Sequence, residues 1–209
     1  MILENHIVRT SRVDPRAAFL NGQVYLKNDN RPSLEFLDSI YDHLSLSYPK
    51  YYKMDNLSKL GFLASEILLK SLDLKNKMPE QTGVILMNAN SSLDTDLKYF
   101  QSTKEFPSPA LFVYTLPNIM IGEICIRNGF KGENAFFISP DFDASFLTQY
   151  VNNLINNNIL QSCICGWADL LKDDYEAFLM LVAKEANNDA DSLLFDKVNV
   201  EKIYRLDHG

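Results

Sequence analysis

Histidine, cysteine and tryptophan are scarce in this 209-residue chain, at three, three and one. So few histidines leave little for a rich acid–base constellation, because imidazole is the side chain that titrates near neutrality. His6, His43 and His208 stand far apart and read as surface or packing residues; only His43 is worth a mutant. Cys125, Cys163 and Cys165 are odd in number and sit in apolar runs. A disulfide framework or metal site is therefore not expected, and a reducing compartment, the cytoplasm, is. On a strand, Cys163 and Cys165 share one face and Ile164 takes the other, as core residues do. Glycine-rich phosphate loops are missing; Gly129 and Gly132 in GFKGEN suit a helix cap and a turn, so no cofactor is expected. No apolar run approaches the ~18 residues of a membrane span, and the first residues lack the apolar stretch of a signal peptide. Lys and Arg number 20 against 27 Asp and Glu, a formal net charge of −7. That balance argues against a nucleic-acid or anionic-membrane surface.

What is present is a globular mixture, 46% hydrophobic and 22% charged, in a length that buries a sizeable core within one α/β domain. HIVRTSRV and FLNGQVYLK read as an N-terminal β-hairpin within residues 1–32, an edge feature with a tight turn at Asn21-Gly22. SLEFLDSIYDHLSLS is an amphipathic helix with Ser33 as N-cap, and MDNLSKLGFLASEILLKSL is a second helix opening at Asp55. GVILMN, continuously apolar, suits a strand buried on both faces. DTDLKYFQST makes a surface helix or an irregular segment. In TLPNIMIGEICIRNGF, Pro117 marks a helix start and Gly129 its cap, and apolar residues nearly all round predict an interior helix. Strand ENAFFIS, helix DASFLTQYVNNLINNN and strands LQSCICGWAD and YEAFLMLVAKE follow, with residues 186–191 as a loop. The last segment, KVNVEKIYRL, alternates apolar and polar positions and predicts a strand.

The junction FISPDFDAS, residues 137–145, is a strand, a turn and a helix start, an arrangement that carries the nucleophile in many α/β enzymes. Asp141 and Asp143 form either a carboxylate pair or a capping set at the helix N-terminus, and capping is the preferred reading. Ser139 and Ser145 flank the turn without the neighbouring base that a serine nucleophile needs. Lys50, Lys53, Lys59, Lys70, Lys75 and Lys77 concentrate positive charge, as a solvated helix face or as a surface for an acidic protein.

The order of these segments resembles the N-terminal half of β-ketoacyl synthases of the thiolase-like superfamily. MDNLSKLGFLASEILL is similar to their early helix and GVILMNANSS to the strand and loop that follow. SPALFVYTLPNIMIGEICIRNGFKGENAFFIS is similar to their proline-bearing helix and the strand entering the nucleophile turn, and CICGWAD to their Gly-Gly-Ala-Glu/Asp strand end. The resemblance covers residues 50–185. It implies a layered thiolase-like half, with a mixed five-stranded sheet flanked by helices, preceded by the hairpin, in a single domain over residues 1–209.

In that family the turn holds a cysteine that carries the acyl group as a thioester, and histidines of the C-terminal half assist a decarboxylative condensation. Here Phe142, or a neighbour within one residue, takes the nucleophile position, and a phenyl ring can be neither nucleophile nor leaving group. The chain is also shorter than the family's members and lacks both histidine motifs. The resemblance therefore implies a non-catalytic subunit like the chain-length-factor subunits. Those lack the cysteine and pair with an active synthase in fatty-acid, aryl-polyene, flexirubin or polyketide-type synthesis. It makes Asn134, Ala135, Phe136, Phe137 and Ile138 the dimer strand, pairing with a second copy or a full-length ketosynthase, with an acyl carrier protein as a further partner. Two alternatives stay open: a small acyl-thioester-processing enzyme using Ser139, Asp141 or Asp143, and a homodimeric scaffold without an acyl ligand.

Overall fold

A computed structural model describes residues 4–72, 78–184 and 193–206. The loop predicted at 186–191, Lys75, Lys77 and His208 lie outside these residues. Strands β1 (His6–Val13), β2 (Ala17–Leu20) and β3 (Gln23–Lys27) form an antiparallel meander. Asn21 and Gly22 take φ angles of 51° and 72°, the pair of positive angles that a two-residue hairpin turn requires. Helix α1 (Ser33–His43) buries Phe36, Leu37, Ile40 and Tyr41 along one face. Its N-cap position is Pro32, not Ser33 as predicted; the Ser33 hydroxyl instead donates to Asp173 Oδ1 at 3.0 Å. Helix α2 (Asn56–Leu69) opens at Asp55, whose carboxylate accepts the Ser58 N–H at 3.0 Å.

Strand β4 (Thr82–Asn88) is buried at every position because it pairs in parallel with β5 (Asn134–Ile138) on one side and β6 (Ser162–Leu171) on the other. Between β4 and β5 the chain runs through α3 (Leu93–Ser102), α4 (Pro109–Val113) and α5 (Asn118–Asn128), which Gly129 caps at φ 70°. Helix α5 buries Met120, Ile121, Glu123 and Ile124 while Ile126 is exposed, so the interior placement predicted for it is corrected. The helix packs on α2, β4 and β5, Ile119 and Cys125 add to the core, and Ile126 is its one exposed large apolar side chain.

Helix α6 (Ala144–Asn156) joins β5 to β6, and β6 turns into antiparallel β7 (Asp174–Ala183). A short β8 (Leu193–Leu194) pairs with β1 and leads into α7 (Lys197–Leu206). Residues 197–206 are thus helical, correcting the strand predicted from alternation. Asp196 accepts the Asn199 N–H at 2.8 Å and so caps the helix start. Val200, Ile203 and Tyr204, at helical spacing, pack on one core while Val198 is exposed.

The sheet order is β3-β2-β1-β7-β6-β4-β5, with β8 beside β1. Among the described residues the sheet is mixed and has eight strands, three more than the five expected, because β2, β3 and β8 join it through β1. The hairpin forms the β3 edge of the sheet, as expected, and is continuous with it because β1 pairs with both β2 and β7. Helices α1, α2 and α5 cover one face, and α6 and α7 cover the other. Along β6, Ile164 enters the first core and Cys163 and Cys165 the second, as their spacing predicts. Gly166 lies opposite Leu179, where a Cβ would overlap the Phe178 carbonyl oxygen.

Candidate functional site

The turn after β5 is built from local chemistry. Ile138 lies opposite Asn88, the Ser139 N–H donates to the Asn88 carbonyl at 2.9 Å, and Pro140, with no N–H, ends the ladder. Asp143 then caps α6: its carboxylate accepts the Phe146 N–H at 2.9 Å. The aromatic rings of Phe137, Phe146 and Tyr150 meet at centroid distances of 4.8 to 5.8 Å and hold the helix against its strand.

Of the residues singled out in the sequence, Asp141 and Asp143 are exposed and Ser139 is half-buried. Phe142 alone turns inward. Its ring packs against Tyr204 at 4.4 Å, Phe178 at 6.0 Å and Trp167 at 6.3 Å between centroids.

Beneath these rings is a polar cluster that the sequence reading missed. Arg12, 2% exposed, is ion-paired with Glu176 and lies 3.5 Å from Asp14. The Tyr204 hydroxyl donates to Glu176 Oε2 at 2.8 Å, and Arg12 Nη1 donates to the Tyr204 carbonyl at 3.2 Å. The guanidinium also sits 5.5 Å from the centre of the Tyr204 ring. Burial, then the Glu176 charge, pushes the Tyr204 phenol well above its ordinary pKa, so it is a neutral donor.

The loop after β4 is filled from within the chain as well. The Ala89 and Asn90 N–H groups donate to Asp169 Oδ1 at 3.2 and 2.9 Å, and Asn90 Nδ2 donates to Asp169 Oδ2 at 2.6 Å. Backbone donors of this kind can cradle a ligand anion. Here Asp169 takes that place.

Two of the cysteines, Cys125 and Cys165, are held as thiols. Burial raises the Cys165 thiol well above its ordinary pKa and pushes Cys125 up to about 11. His43 packs edge-on against Tyr25 at 5.1 Å. Among the described residues no group of His, Cys, Asp and Glu could hold a metal ion. In the basic stretch, Lys50 pairs with Glu123, Lys59 with Asp38 and Lys70 with the Tyr25 hydroxyl. A groove of about 460 Å³ lined by Leu44, Leu46, Leu69, Leu72 and Arg127 belongs to the opposite face of the sheet.

Strand β5 ends the sheet, pairing only with β4 among the described residues. Asn134 and Ile138 are exposed, while Ala135, Phe136 and Phe137 are half-buried. Large apolar side chains are also exposed on and between α3 and α4: Leu97, Phe100, Phe106 (88%), Phe112 and Val113. No helix among the described residues is long and apolar enough to cross a membrane.

No protein-family model and no curated protein matches the chain. Solved structures do. The ishigamide ketosynthase/chain length factor matches with a TM-score of 0.62 at 16% identity over 90% of this chain and 63% of that one. A type II polyketide-synthase acyl-carrier protein in complex with its ketosynthase, bound to the hexaketide, gives 0.59 at 13% identity, over 88% and 63%. A ketosynthase in complex with its chain length factor from Xenorhabdus doucetiae gives 0.60 at 10% identity, over 88% and 81%. The chain therefore spans less than two thirds of the first two. At these identities the likeness establishes the fold, which is the thiolase-like fold of ketosynthases and chain length factors.

Proposed function

We propose that this chain is a non-catalytic ketosynthase-like subunit, a single thiolase-like domain of the cytoplasm. It pairs through β5 with a full-length ketosynthase in fatty-acid, aryl-polyene or polyketide-type synthesis. The observation that carries the reading is Phe142: at the turn where the resemblance places a catalytic thiol, an aromatic ring is packed against three others. Asp143 is committed to a helix cap, and the thiols of Cys125 and Cys165 are held protonated by burial. Pairing is supported by the sheet edge, because an apolar strand with an open ladder favours a strand partner over solvent. The exposed aromatic side chains on α3 and α4 form the kind of surface that partners cover.

The test is co-expression with full-length ketosynthases from the same source, followed by native mass measurement. A stable complex is expected. Ile138→Lys, which puts a charge at the exposed end of β5, is expected to dissolve it while leaving the circular dichroism of the lone chain unchanged. A chain that binds none of these synthases, or a complex indifferent to Ile138→Lys, overturns pairing through β5.

A further inference from the structure

The aromatic contact over the turn is fastened in a way that simple core packing does not require. Tyr204 is tied at both ends of its residue, its hydroxyl to Glu176 and its carbonyl to Arg12. Those two groups belong to neighbouring strands, β7 and β1, and pair with each other. The walls behind the ring, Phe178 and Trp167, are apolar and would suit a hydrocarbon.

We infer that α7 seals the nucleophile turn, with Tyr204 as the latch, so that an acyl chain reaches the space beside Phe142 only when that ring is removed. Removing this half-buried ring would leave apolar space against Phe142 and Phe178, at 4.4 and 5.4 Å from its centre, for a hydrocarbon to fill. The inference rests on reading the turn as a retired acyl site, but its test uses the lone chain and needs no partner. A failure here therefore leaves the pairing experiment standing, and the reverse also holds.

Trp167 is the sole tryptophan, is 6% exposed and lies 6.3 Å from Phe142, so its emission reports on this space. Acrylamide is expected to quench it poorly in the wild type, and octanoyl-pantetheine to leave it unchanged. In Tyr204→Ala, quenching rises several-fold and octanoyl-pantetheine binds at least about ten-fold more tightly. Tyr204→Phe keeps the ring but loses its tie to Glu176, and is expected to admit acrylamide and the probe more than the wild type and less than Tyr204→Ala. If Tyr204→Ala does not fold, Tyr204→Leu, smaller and apolar, carries the same comparison. A wild type that binds the probe as tightly as the Ala or Leu variant overturns the seal. So does a folded Ala or Leu variant that binds it no better, or a wild-type Trp167 quenched like free tryptophan.

Discussion

The Tyr204 ring lies 4.4 Å from the Phe142 ring, centroid to centroid and inclined at 42°, joining the C-terminal helix to the turn between β5 and α6. A thiol introduced at Phe142 would meet Tyr204, Phe178 and Trp167. Arg12, the cation of the cluster, is already held by Glu176 and Asp14. Apolar walls disfavour the thiolate. Phe142→Cys is therefore expected to react with iodoacetamide no faster than a free thiol and to leave malonyl-thioester decarboxylation at background. Loss of the half-buried ring is expected to lower stability by about 2 kcal/mol in urea unfolding. Decarboxylation above background would mean that the folded chain supplies acid–base groups to the turn.

Arg12 and Glu176 are expected to behave as a coupled pair. Arg12→Met leaves two little-exposed carboxylates, Asp14 and Glu176, without this cation, and breaking a buried pair from one side typically costs about 3–5 kcal/mol. Asp14 keeps its pair with Arg16 at 2.8 Å, whereas Glu176 loses the Arg12 cation, and adding Glu176→Met removes that charge. The double variant is expected to be destabilised by clearly less than the sum of the singles in urea unfolding. Additive losses would mean that the two side chains do not stabilise one another.

Legibility in the sequence followed the range of the interactions. Asp55 and Gly129 cap their helices as local chemistry dictates, and continuously apolar β4 is buried on both faces. Helix α7 was hidden because Val198 and Val200 alternate like strand residues, whereas contact with the second core selects Val200, Ile203 and Tyr204. The cluster under Phe142 was out of reach for the same reason: Arg12 and Glu176 are 164 residues apart and Glu176 and Tyr204 are 28 apart, so no local pattern links them. The one available signal was the helical spacing of Val200, Ile203 and Tyr204. Phe142 itself was found through resemblance, since nothing in its immediate neighbours marks it.

Two glycines are expected to respond to alanine in opposite directions. A Cβ on Gly166 would overlap the Phe178 carbonyl oxygen, a backbone atom of the paired strand that cannot rotate aside. Gly166→Ala is expected to cost about 3 kcal/mol or to prevent folding. On Gly122, inside α5, a Cβ meets nothing within 4 Å. Gly122→Ala is expected to raise stability by about 1 kcal/mol through helix propensity. Urea unfolding of both variants is the measurement; a loss in Gly122→Ala would place that position against a partner surface or a residue outside the described ones.

Asp55 links α2 to α3, accepting the Ser58 N–H at 3.0 Å and the Thr95 hydroxyl at 2.5 Å. Burial lifts its pKa above the ordinary carboxylate value; the hydrogen bonds and Lys98 oppose that lift without cancelling it. The folded chain therefore keeps this proton to a higher pH than the unfolded chain does. The resulting stabilisation is fully present below the unfolded pKa, about 4, and is lost as pH rises through the folded value. Asp55→Asn preserves an N-cap acceptor and cannot ionise. From about pH 4 upward, the urea midpoint of the wild type is expected to fall relative to that of Asp55→Asn until the folded carboxyl has ionised, and the gap then stays constant. Parallel pH profiles for the two proteins would show that Asp55 titrates alike in the folded and unfolded chains.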